Sequence, residues 1–466
     1  MLMIKFFNRY YPIRNLIFFA GEGALIFFSI WVVIYALYGG EIPQDLDRAN
    51  IWLRILLTTL VIQLSLYYHD LYDFKHKIQL FELSVRIVQA VGAACLVLAG
   101  LYYIFPFLIL EQGIFFLGIF LLMLFLVSWR LIYQVAAQKN LWNENVLLVG
   151  DGDLARLIGQ EIQSNLDSGY TIRAVFSNPG NTGLAKDLGV ENKKGFDQLC
   201  EYALHHGIGK IVVALEERRG KSPVQALLNC KMQGIKVLEG VSFYELISGK
   251  ILASSAPPSW LVFSEGFRRY KITLWCKRAL DIVFSVLGFV LSAPLQLAAA
   301  ILIKATSPGP VFFKQTRVGQ MERTFQVVKF RTMREDAEAH SGAVWAQEDD
   351  PRITRVGAIL RKLRLDELPQ FWNVLKGEMS FVGPRPERPE FVGKLKEKLP
   401  YYGERHTVKP GITGWAQVNY PYGASEEDAL KKLEYDLFYI KNLSLVFDIY
   451  IVLKTIKTVL VGEGAR

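Results

Sequence analysis

Two adjacent carboxylates, Asp366 and Glu367, are the residues of this sequence best suited to do chemistry. A carboxylate can act as a nucleophile at phosphorus, as it does in enzymes that form an aspartyl phosphate. A second carboxylate can orient the first or help to hold a divalent ion, and Mg²⁺ prefers oxygen ligands of this kind. The alternative is structural, because the pair could also cap a helix or form salt bridges with Arg361 and Arg364.

Four arginines are candidates for binding phosphate, because a guanidinium fork matches two phosphate oxygens. They are Arg331, Arg352, Arg355 and Arg385. Arg385 is the best placed of them, since a proline on each side restricts its backbone and favours a preorganised loop. For the other three, pairing with local acidic residues at the surface is the alternative.

The elements around these residues can be read from turn signals. Pro369 suits the first turn of a helix that ends near Gly377. Gly411, Thr413 and Gly414 indicate a turn in which the backbone approaches a ligand closely.

Residues 279–303 form an apolar run that is long enough to span a membrane. Pro294 lies in its middle, where it removes a helical hydrogen bond, and the Ser292 hydroxyl could satisfy the carbonyl that is freed. Lys277 and Lys304 flank the run, and positive charge at both ends favours a segment that enters and leaves on one side. We therefore predict a re-entrant hairpin, with a kinked spanning helix as the alternative.

Four further apolar stretches precede residue 140 and approach the length of a membrane helix. They are residues 16–38, 51–68, 87–105 and 113–129. Basic residues occur before the first stretch, between the second and third, and after the fourth, but not in the other two connections. This pattern predicts that both ends of the bundle lie in the cytoplasm. The residues that carry this signal are Lys5, Arg9, Arg14, Lys75, Lys77, Arg86, Arg130 and Lys139, against Glu41, Asp45, Asp47 and Glu111.

Residues 145–250 alternate short apolar strands, at 145–149, 171–176 and 210–215, with helical patterns that run from the turn at 150–155 to about 166, and at 195–206 and 223–233. This alternation predicts a parallel sheet. Gly150 and Gly152 resemble a dinucleotide-binding turn, but the second strand lacks the acid that would hold a ribose hydroxyl. We expect a Rossmann-like fold that does not bind NAD(P) usefully.

Composition agrees with a membrane protein that carries soluble domains. Hydrophobic residues make up 52% of the 466 residues and charged residues 21%. The net charge of +9 fits an anionic membrane surface or a phosphate-rich substrate better than nucleic acid. The four cysteines form no CxxC pair, which argues against a zinc site or a disulfide framework.

Seven motifs follow one another in the last third of the chain, at residues 307–313, 315–319, 329–333, 350–357, 365–370, 380–386 and 409–419. In these motifs residues 277–460 resemble the bacterial sugar transferase family, the phosphoglycosyl transferases of O-antigen, capsule and exopolysaccharide synthesis. The four spans and the α/β domain in front resemble its large, initiating subgroup. One departure is Glu322, because the family often has glycine before the basic residue there; it should alter a hairpin turn.

The resemblance implies transfer of a sugar phosphate from a UDP-sugar to undecaprenyl (polyprenyl) phosphate, with release of UMP and ping-pong kinetics. It implies that Asp366 is the nucleophile of a phosphosugar-enzyme intermediate, with Glu367 as its essential partner. We expect Mg²⁺ at both carboxylates, where it would bridge the leaving diphosphate. Gln417 and Asn419 could read uracil or sugar hydroxyls, with hydrogen bonding in the core as the alternative. Nothing in the sequence identifies the sugar.

The expected architecture has five parts: a transmembrane helical bundle (1–140), a Rossmann-like α/β domain (141–250), a linker (251–273), a re-entrant hairpin (274–305) and an α+β catalytic domain (306–466). The expected partners are the UDP-sugar, undecaprenyl phosphate and membrane lipids, without nucleic acid, and a homo-oligomer is possible. The resemblance implies a multi-pass protein of the bacterial inner membrane with its catalytic domain in the cytoplasm.

Two other functions stay open on the sequence. A membrane nucleotide-sugar dehydratase or epimerase also joins four spans to a Rossmann domain, but the missing ribose acid and the absence of a Tyr-x-x-x-Lys pair count against it. A non-catalytic scaffold or sensor for polysaccharide assembly would not need the intact pair of Asp366 and Glu367.

Overall fold

The computed structural model describes most of the chain, namely residues 3–6, 9–38, 48–73, 79–110, 112–138, 143–165, 168–177, 183–215, 223–335, 337, 350–421, 423 and 425–461. Its contacts form two compact units, and the boundary between them along the main part of the chain lies between Gly240 and Val241.

The first unit begins with a short strand pair and four long apolar helices. These elements are β1 (Met3–Phe6), β2 (Arg9–Pro12), α1 (Ile13–Tyr38), α2 (Arg48–Tyr68), α3 (Leu80–Ile104) and α4 (Gln112–Gln138). Each helix is long and apolar enough to cross a membrane, as the four apolar stretches predict. Most of the loop charges used for the orientation, among them Glu41, Lys75 and Glu111, lie outside the described residues, so the orientation stays a prediction.

A buried ion pair joins α1 to α4. The Arg130 guanidinium lies 2.7 Å from Glu22 Oε1 and also donates to the carbonyl of Leu71. The two helices approach closely here because Gly21 lies against Trp129, where a Cβ would come within 2.7 Å of the indole ring. The pair therefore fixes how these helices align.

The α/β part of the first unit is a five-stranded parallel sheet with the order β5-β4-β3-β6-β7. Its elements are β3 (Glu144–Val149), α5 (Asp153–Ser164), β4 (Tyr170–Ser177), α6 (Gly183–Leu188), β5 (Glu191–Lys194), α7 (Leu199–His205), β6 (Lys210–Val213), α8 (Val224–Met232) and β7 (Lys236–Glu239). This is the doubly wound order of a Rossmann fold and confirms the predicted parallel sheet. The short strands β5 and β7 and the helix α6 were not predicted.

The glycine turn after β3 has the predicted strand-turn-helix form. Gly150 has a φ of +123°, and a side chain there would overlap the backbone of Ala214. This position therefore requires glycine for packing between strands, whether or not a ligand binds. Ser177 ends β4 and donates to Asn192 Oδ1 at 3.1 Å.

The second unit carries the remaining elements. They are α9 (Gly240–Ser248), α10 (Pro258–Phe263), α11 (Lys271–Thr306), β8 (Phe312–Val318), β9 (Thr324–Phe330), α12 (Arg355–Lys362), α13 (Phe371–Lys376), β10 (Ser380–Val382), α14 (Pro389–Lys398), β11 (Gly411–Thr413), α15 (Trp415–Asn419), α16 (Glu426–Lys441) and α17 (Leu445–Val461). β8 and β9 form an antiparallel hairpin, and β10 pairs with β11 in parallel. α9 already belongs to this unit by its contacts, since Lys441 of α16 lies 2.7 Å from the Glu245 carboxylate.

The structure does not confirm a turn at Pro294. α11 is one helix of 36 residues with Pro294 inside it. Ser292 donates to the carbonyl of Gly288, whereas the carbonyl that proline leaves without its helical donor is that of Val290. A single proline removes one hydrogen bond and need not end a helix, so the re-entrant course stays a prediction.

The turn between β8 and β9 keeps a conformation that favours glycine. Glu322 has a φ of +60° and the preceding Met321 a φ of +53°, both in the left-handed region. The departure from the family's glycine therefore strains the turn and leaves the hairpin intact. The Glu322 side chain forms an exposed ion pair with Lys396 at 2.7 Å.

Candidate active site

The two candidate carboxylates lie on a 3₁₀ helix, Leu365–Gln370, between α12 and α13. Arg364 precedes it with a left-handed φ of 54°, which turns the chain sharply after α12. α13 ends at Lys376, and Gly377 follows it with a φ of 87°, which closes the helix where the sequence predicts its end. The carboxylates are thus held at a short, tightly turned corner.

Asn373 fastens this corner to β9. Its fully buried side chain donates to the carbonyl of Gln326 at 2.7 Å and accepts from the amide of Val328 at 3.0 Å. Because Lys329 follows Val328 directly, the same contacts set the position of Lys329 against the corner. Buried amide side chains that satisfy backbone groups in this way hold elements in register.

Glu367 is bound by two cations. Lys329 Nζ lies 2.7 Å and Arg385 Nη2 2.8 Å from the same atom, Glu367 Oε1. Burial alone would raise the pKa of Glu367, but Arg385 and Lys329 together hold it well below its ordinary value. Glu367 is therefore an anion at neutral pH, with one oxygen fully committed.

Asp366 is buried and carries no such clamp. It is 9% exposed, and no donor among the described residues forms a hydrogen bond with its carboxylate. Burial and then the negative charge of Glu367 raise the pKa of Asp366, while Lys329, Arg361 and Arg385 act in the opposite direction. A carboxylate in this position keeps its lone pairs available and is more basic than an ordinary aspartate.

The loop that presents Arg385 is held from both sides, as its flanking prolines predict. Arg405 donates to the carbonyl of Arg385 at 3.0 Å and is itself paired with the buried Asp436 at 2.8 Å. Arg317 donates to the carbonyl of Pro386 at 2.9 Å. The Arg385 side chain therefore starts from a fixed backbone.

Two cations of the site were not singled out from the sequence. Lys329 lies inside the quoted 329–333 motif, but only the packing of β9 shows that it reaches Glu367. Arg361, considered only as a salt-bridge partner, lies close enough to lower the pKa of Asp366 and donates to Thr332 Oγ1 at 2.9 Å. Both residues are identified by their proximity to the carboxylates in the fold, which the spacing of residues in the sequence does not show.

The other three predicted arginines make local contacts. Arg331 donates to the Ser307 hydroxyl at 2.7 Å and to its carbonyl at 3.0 Å. Arg352 forms a two-pronged pair with Asp350, from Nε at 2.8 Å and from Nη2 at 2.5 Å. Arg355 is exposed at the start of α12. For Arg352 the structure shows the predicted alternative of pairing with a local acid.

Gly411 and Gly414 serve close backbone packing. A side chain on either would overlap the backbone of Gly383, which follows β10. The close approach predicted for this turn is therefore an approach of two chain segments.

Thr413, Gln417 and Asn419 differ in how much hydrogen-bonding capacity they have left. Thr413 shares a 2.7 Å hydrogen bond with Thr455, and Asn419 accepts from Lys454 at 2.6 Å. The Gln417 amide nitrogen is buried without a partner among the described residues. Gln417 is thus the best remaining candidate for a ligand contact in this segment.

A magnesium ion fits these residues only in part. In the described part of the chain, no three His, Cys, Asp or Glu side chains converge on one point. Glu367 has one oxygen bound to two cations, whereas the Asp366 carboxylate is available. Mg²⁺ is commonly held by one or two carboxylates together with substrate phosphates, and Asp366 fits such a role.

Comparison with known proteins agrees with the motifs. The pattern of the bacterial sugar transferase family matches residues 272–462, and that of a CoA-binding domain family matches residues 68–238. A UDP-N-acetylgalactosamine-undecaprenyl-phosphate N-acetylgalactosaminephosphotransferase of Aeromonas hydrophila is 53% identical over 42% of this chain, which spans 46% of that protein.

Two further relatives match over more of the chain. A UDP-glucose:undecaprenyl-phosphate glucose-1-phosphate transferase of Escherichia coli is 33% identical over 70% of this chain and 69% of its own length. A protein of the same name from Xanthomonas campestris is 33% identical over 68% of this chain and 66% of its own length. Because the Escherichia coli relative is more than 30% identical and matches over more than two thirds of both chains, the chain belongs to the bacterial sugar transferase family of undecaprenyl-phosphate sugar phosphotransferases.

Proposed function

We propose that this protein transfers a sugar 1-phosphate from a UDP-sugar to undecaprenyl phosphate and so initiates the synthesis of a surface polysaccharide. The observation that carries the proposal is the contrast within the pair of carboxylates. Glu367 is neutralised by Lys329 and Arg385, whereas Asp366 beside it is buried and accepts no hydrogen bond from the described residues. That arrangement suits a nucleophile beside a charged support.

In the first half-reaction, an Asp366 oxygen attacks the sugar-bearing phosphorus of the UDP-sugar. The bond from that phosphorus to the bridging oxygen breaks, and UMP leaves with the electron pair. In the second half-reaction, a phosphate oxygen of the lipid attacks the same phosphorus and the Asp366 carboxylate leaves. The product is the lipid diphosphosugar, and no net oxidation or reduction takes place.

The cations beside Glu367 have a clear task in this scheme. A diphosphate brings two or more negative charges to the site, and positive charge must already be in place to receive them. Arg385 is the better phosphate ligand, because its side chain is one-third exposed and its fork can take two oxygens. Glu367 keeps both Arg385 and Lys329 in position until substrate arrives.

Magnesium, where it acts, would supply charge neutralisation on the leaving diphosphate. Asp366, and Glu367 through its second oxygen, are the residues that would help to hold it. Its requirement is tested by titrating a chelator into the reaction and following UMP release.

The test of the function uses purified full-length protein, undecaprenyl phosphate and a panel of UDP-sugars, with UMP as the readout. UDP-N-acetylgalactosamine and UDP-glucose come first, because relatives that act on these donors are the ones described above. We expect one donor to release UMP well above the others. If no donor releases UMP, with or without the lipid, the proposed activity is wrong.

We further propose that the protein lies in the bacterial inner membrane, with α11 entering and leaving on the cytoplasmic side. The support is that both ends of α11 contact the same unit. Lys277 is paired with Asp448 of α17 at 2.7 Å, while Ile303 packs with Phe330 and Leu360. A helix that crossed a bilayer about 30 Å thick would place these ends on opposite faces.

This course of α11 can be tested by labelling. Lys271→Cys and Lys304→Cys are each made in a background without the four native cysteines. Both should react with an impermeant maleimide only after the cells are permeabilised. Labelling of one of them from the outside of intact cells would show that α11 spans the membrane.

A further inference from the structure

Two cations meet beside Gly377, close to the N-terminal part of α11. A Cβ on Gly377 would lie 3.5 Å from Arg278 Nη2 and 3.6 Å from Lys409 Nζ, so both nitrogens lie close to one point. Arg278 is fixed there, since it donates to the carbonyls of Val374 and Leu375 at the end of α13. Neither cation belongs to the cluster around Glu367.

Lys409 is the unusual member of this pair. Its side chain is half-buried, yet no acceptor among the described residues forms a hydrogen bond or ion pair with its ammonium group. Burial and then the charge of Arg278 lower the pKa of Lys409, the carboxylate of Asp281 acts in the opposite direction, and Lys277 lowers the pKa further. A half-buried ammonium group beside another cation has room for an anion.

The acidic residues nearby are already engaged. Asp448 is paired with Lys277 at 2.7 Å. Asp281 accepts hydrogen bonds from the Ser380 hydroxyl at 2.9 Å and from the amide of Phe381 at 2.8 Å. Asp281 therefore offsets only part of the positive charge near Gly377, because among these described residues one unpaired carboxylate faces the two cations Arg278 and Lys409.

The neighbouring surface indicates the depth of this point relative to a membrane. Trp275 of α11 is 75% exposed, and Leu274 and Ile282 beside it are about two-fifths exposed. Exposed tryptophan next to apolar and basic residues is typical of the level of lipid headgroups. The anion that reaches Arg278 and Lys409 would therefore come from the membrane.

We propose that Arg278 and Lys409 form a binding site for the phosphate group of a membrane lipid. A phosphate offers several oxygens and can accept from both cations at once. Two sources carry this chemistry, the polyprenyl phosphate acceptor and the bulk anionic phospholipids. Only the first rests on the proposed function.

The test compares Lys409→Gln with Lys394→Gln, which removes a charge from an exposed lysine of α14. Thermal unfolding of the full-length protein in detergent is followed with polyprenyl phosphate, phosphatidylglycerol, polyprenol or inorganic phosphate. Ligands that bind only the folded state raise the melting temperature. We expect a rise of about 3–5 °C with a lipid phosphate in the wild type and in Lys394→Gln, and less than half of it in Lys409→Gln.

The lipid that loses its effect identifies the source. A smaller rise with polyprenyl phosphate alone assigns the site to the acceptor, and a tenfold higher KM for that lipid should accompany it. Smaller rises with both lipids assign the site to lipid phosphates in general. Equal rises in all three proteins, or a rise with inorganic phosphate or polyprenol but not with lipid phosphate, would overturn the proposal.

This experiment separates the site from the activity. The unfolding measurements need no turnover, so they decide the lipid site even if no UDP-sugar is a substrate. Unfolding without added lipid is the folding control. Lys409→Gln should be as stable as the wild type there, because none of the described residues forms a hydrogen bond or ion pair with the Lys409 ammonium group.

Discussion

Each of the two units has a buried glutamate paired with an arginine. The two arrangements differ in whether charged groups remain that could bind a ligand. In the helical bundle, Glu22 and Arg130 form one pair whose side chains are 0% and 4% exposed. In the catalytic unit, Glu367 binds both Lys329 and Arg385, and the arginine is 32% exposed. A second carboxylate, Asp366, lies beside that cluster and accepts no hydrogen bond from any residue that the structure describes.

The difference separates a structural pair from a site. A closed pair neutralises itself, and its main effect is to make one arrangement of the helices better than its alternatives. The cluster around Glu367 contains the solvent-accessible Arg385 and lies beside the Asp366 carboxylate, which accepts no hydrogen bond from the described residues. It can therefore still form stabilising contacts with a ligand. Removing charges from each region should therefore affect different measurements.

The largest expected effect is that of Asp366→Asn on turnover. The amide keeps the size of the side chain but cannot attack phosphorus, so UMP release should fall about 10⁴-fold or more. The burst of about one UMP per site that we expect from enzyme and UDP-sugar alone should disappear as well. Glu390→Gln, at an exposed acid of α14, is the control.

Stability should move in the opposite direction in Asp366→Asn. A carboxyl group with a raised folded-state pKa stabilises the fold below its unfolded-state pKa and loses that contribution as pH rises through the folded-state value. At pH 7 the asparagine variant should thus be at least as stable as the wild type. Wild-type turnover in this variant, or UMP release only in the presence of lipid, would contradict attack by Asp366. The lipid phosphate would then attack the UDP-sugar directly.

The next effect is structural and lies in the bundle. Arg130→Met leaves the buried Glu22 without its partner and should lower the free energy of unfolding by about 3–5 kcal/mol. Arg86→Met, which opens an exposed pair with Glu82, should cost less than about 1 kcal/mol. UMP release per folded molecule should stay at the wild-type level.

A second substitution sharpens this result. The combination of Arg130→Met with Glu22→Leu should recover most of the lost stability, because neither charge is then left buried alone. If the double variant is as unstable as Arg130→Met, the cost comes from packing around Trp129 and the pair is not the cause.

Glu367→Gln should affect both measurements, because Glu367 is a support as well as part of the site. The amide leaves Lys329 and Arg385 without a counter-charge, which should cost about 2–3 kcal/mol of stability in this partly exposed setting. Glu367→Gln should also slow UMP release about 10²-fold or more. The exposed Glu322→Gln is the matched control.

The contribution of Glu367 to stability should depend on pH. Its pKa is held below the ordinary value, so its stabilisation is present above the unfolded-state pKa and is lost as pH falls through the folded-state value. The stability difference between wild type and Glu367→Gln should therefore shrink in acid. A difference that is constant between pH 7 and pH 3 would contradict the ionic origin.

Long-range contacts mark the limit of what the sequence could predict. The membrane helices and the parallel sheet follow from runs of apolar residues, which act locally. β5, with the sequence Glu-Asn-Lys-Lys, and β7 carry no apolar alternation and form only because a neighbouring strand pairs with them. Helical interruption at Pro294 was expected, but the residues on both sides of it continue one helix.

The candidate site shows the same division. Asp366, Glu367 and Arg385 lie in motifs that could be recognised one by one. Lys329 and Arg331 stand two residues apart in one motif, yet only Lys329 reaches Glu367, while Arg331 binds the loop at Ser307. That distinction depends on how β9 packs against residues nearly 40 positions later, which no local pattern contains.

The smallest expected effect compares two of the four arginines that the sequence makes candidates for binding phosphate. Arg385→Lys keeps the charge but loses the fork, and should lower kcat/KM by about 2–3 kcal/mol in transition-state stabilisation, or roughly 30- to 150-fold. Arg352→Lys makes the same change where the fork binds Asp350, and should alter kcat/KM less than about threefold. The measurement is UMP release at subsaturating UDP-sugar, with unfolding as the control. If both variants lose activity equally, Arg352 also binds phosphate, as its motif predicts. An ion pair with a local acid would then not show that an arginine has only a structural role.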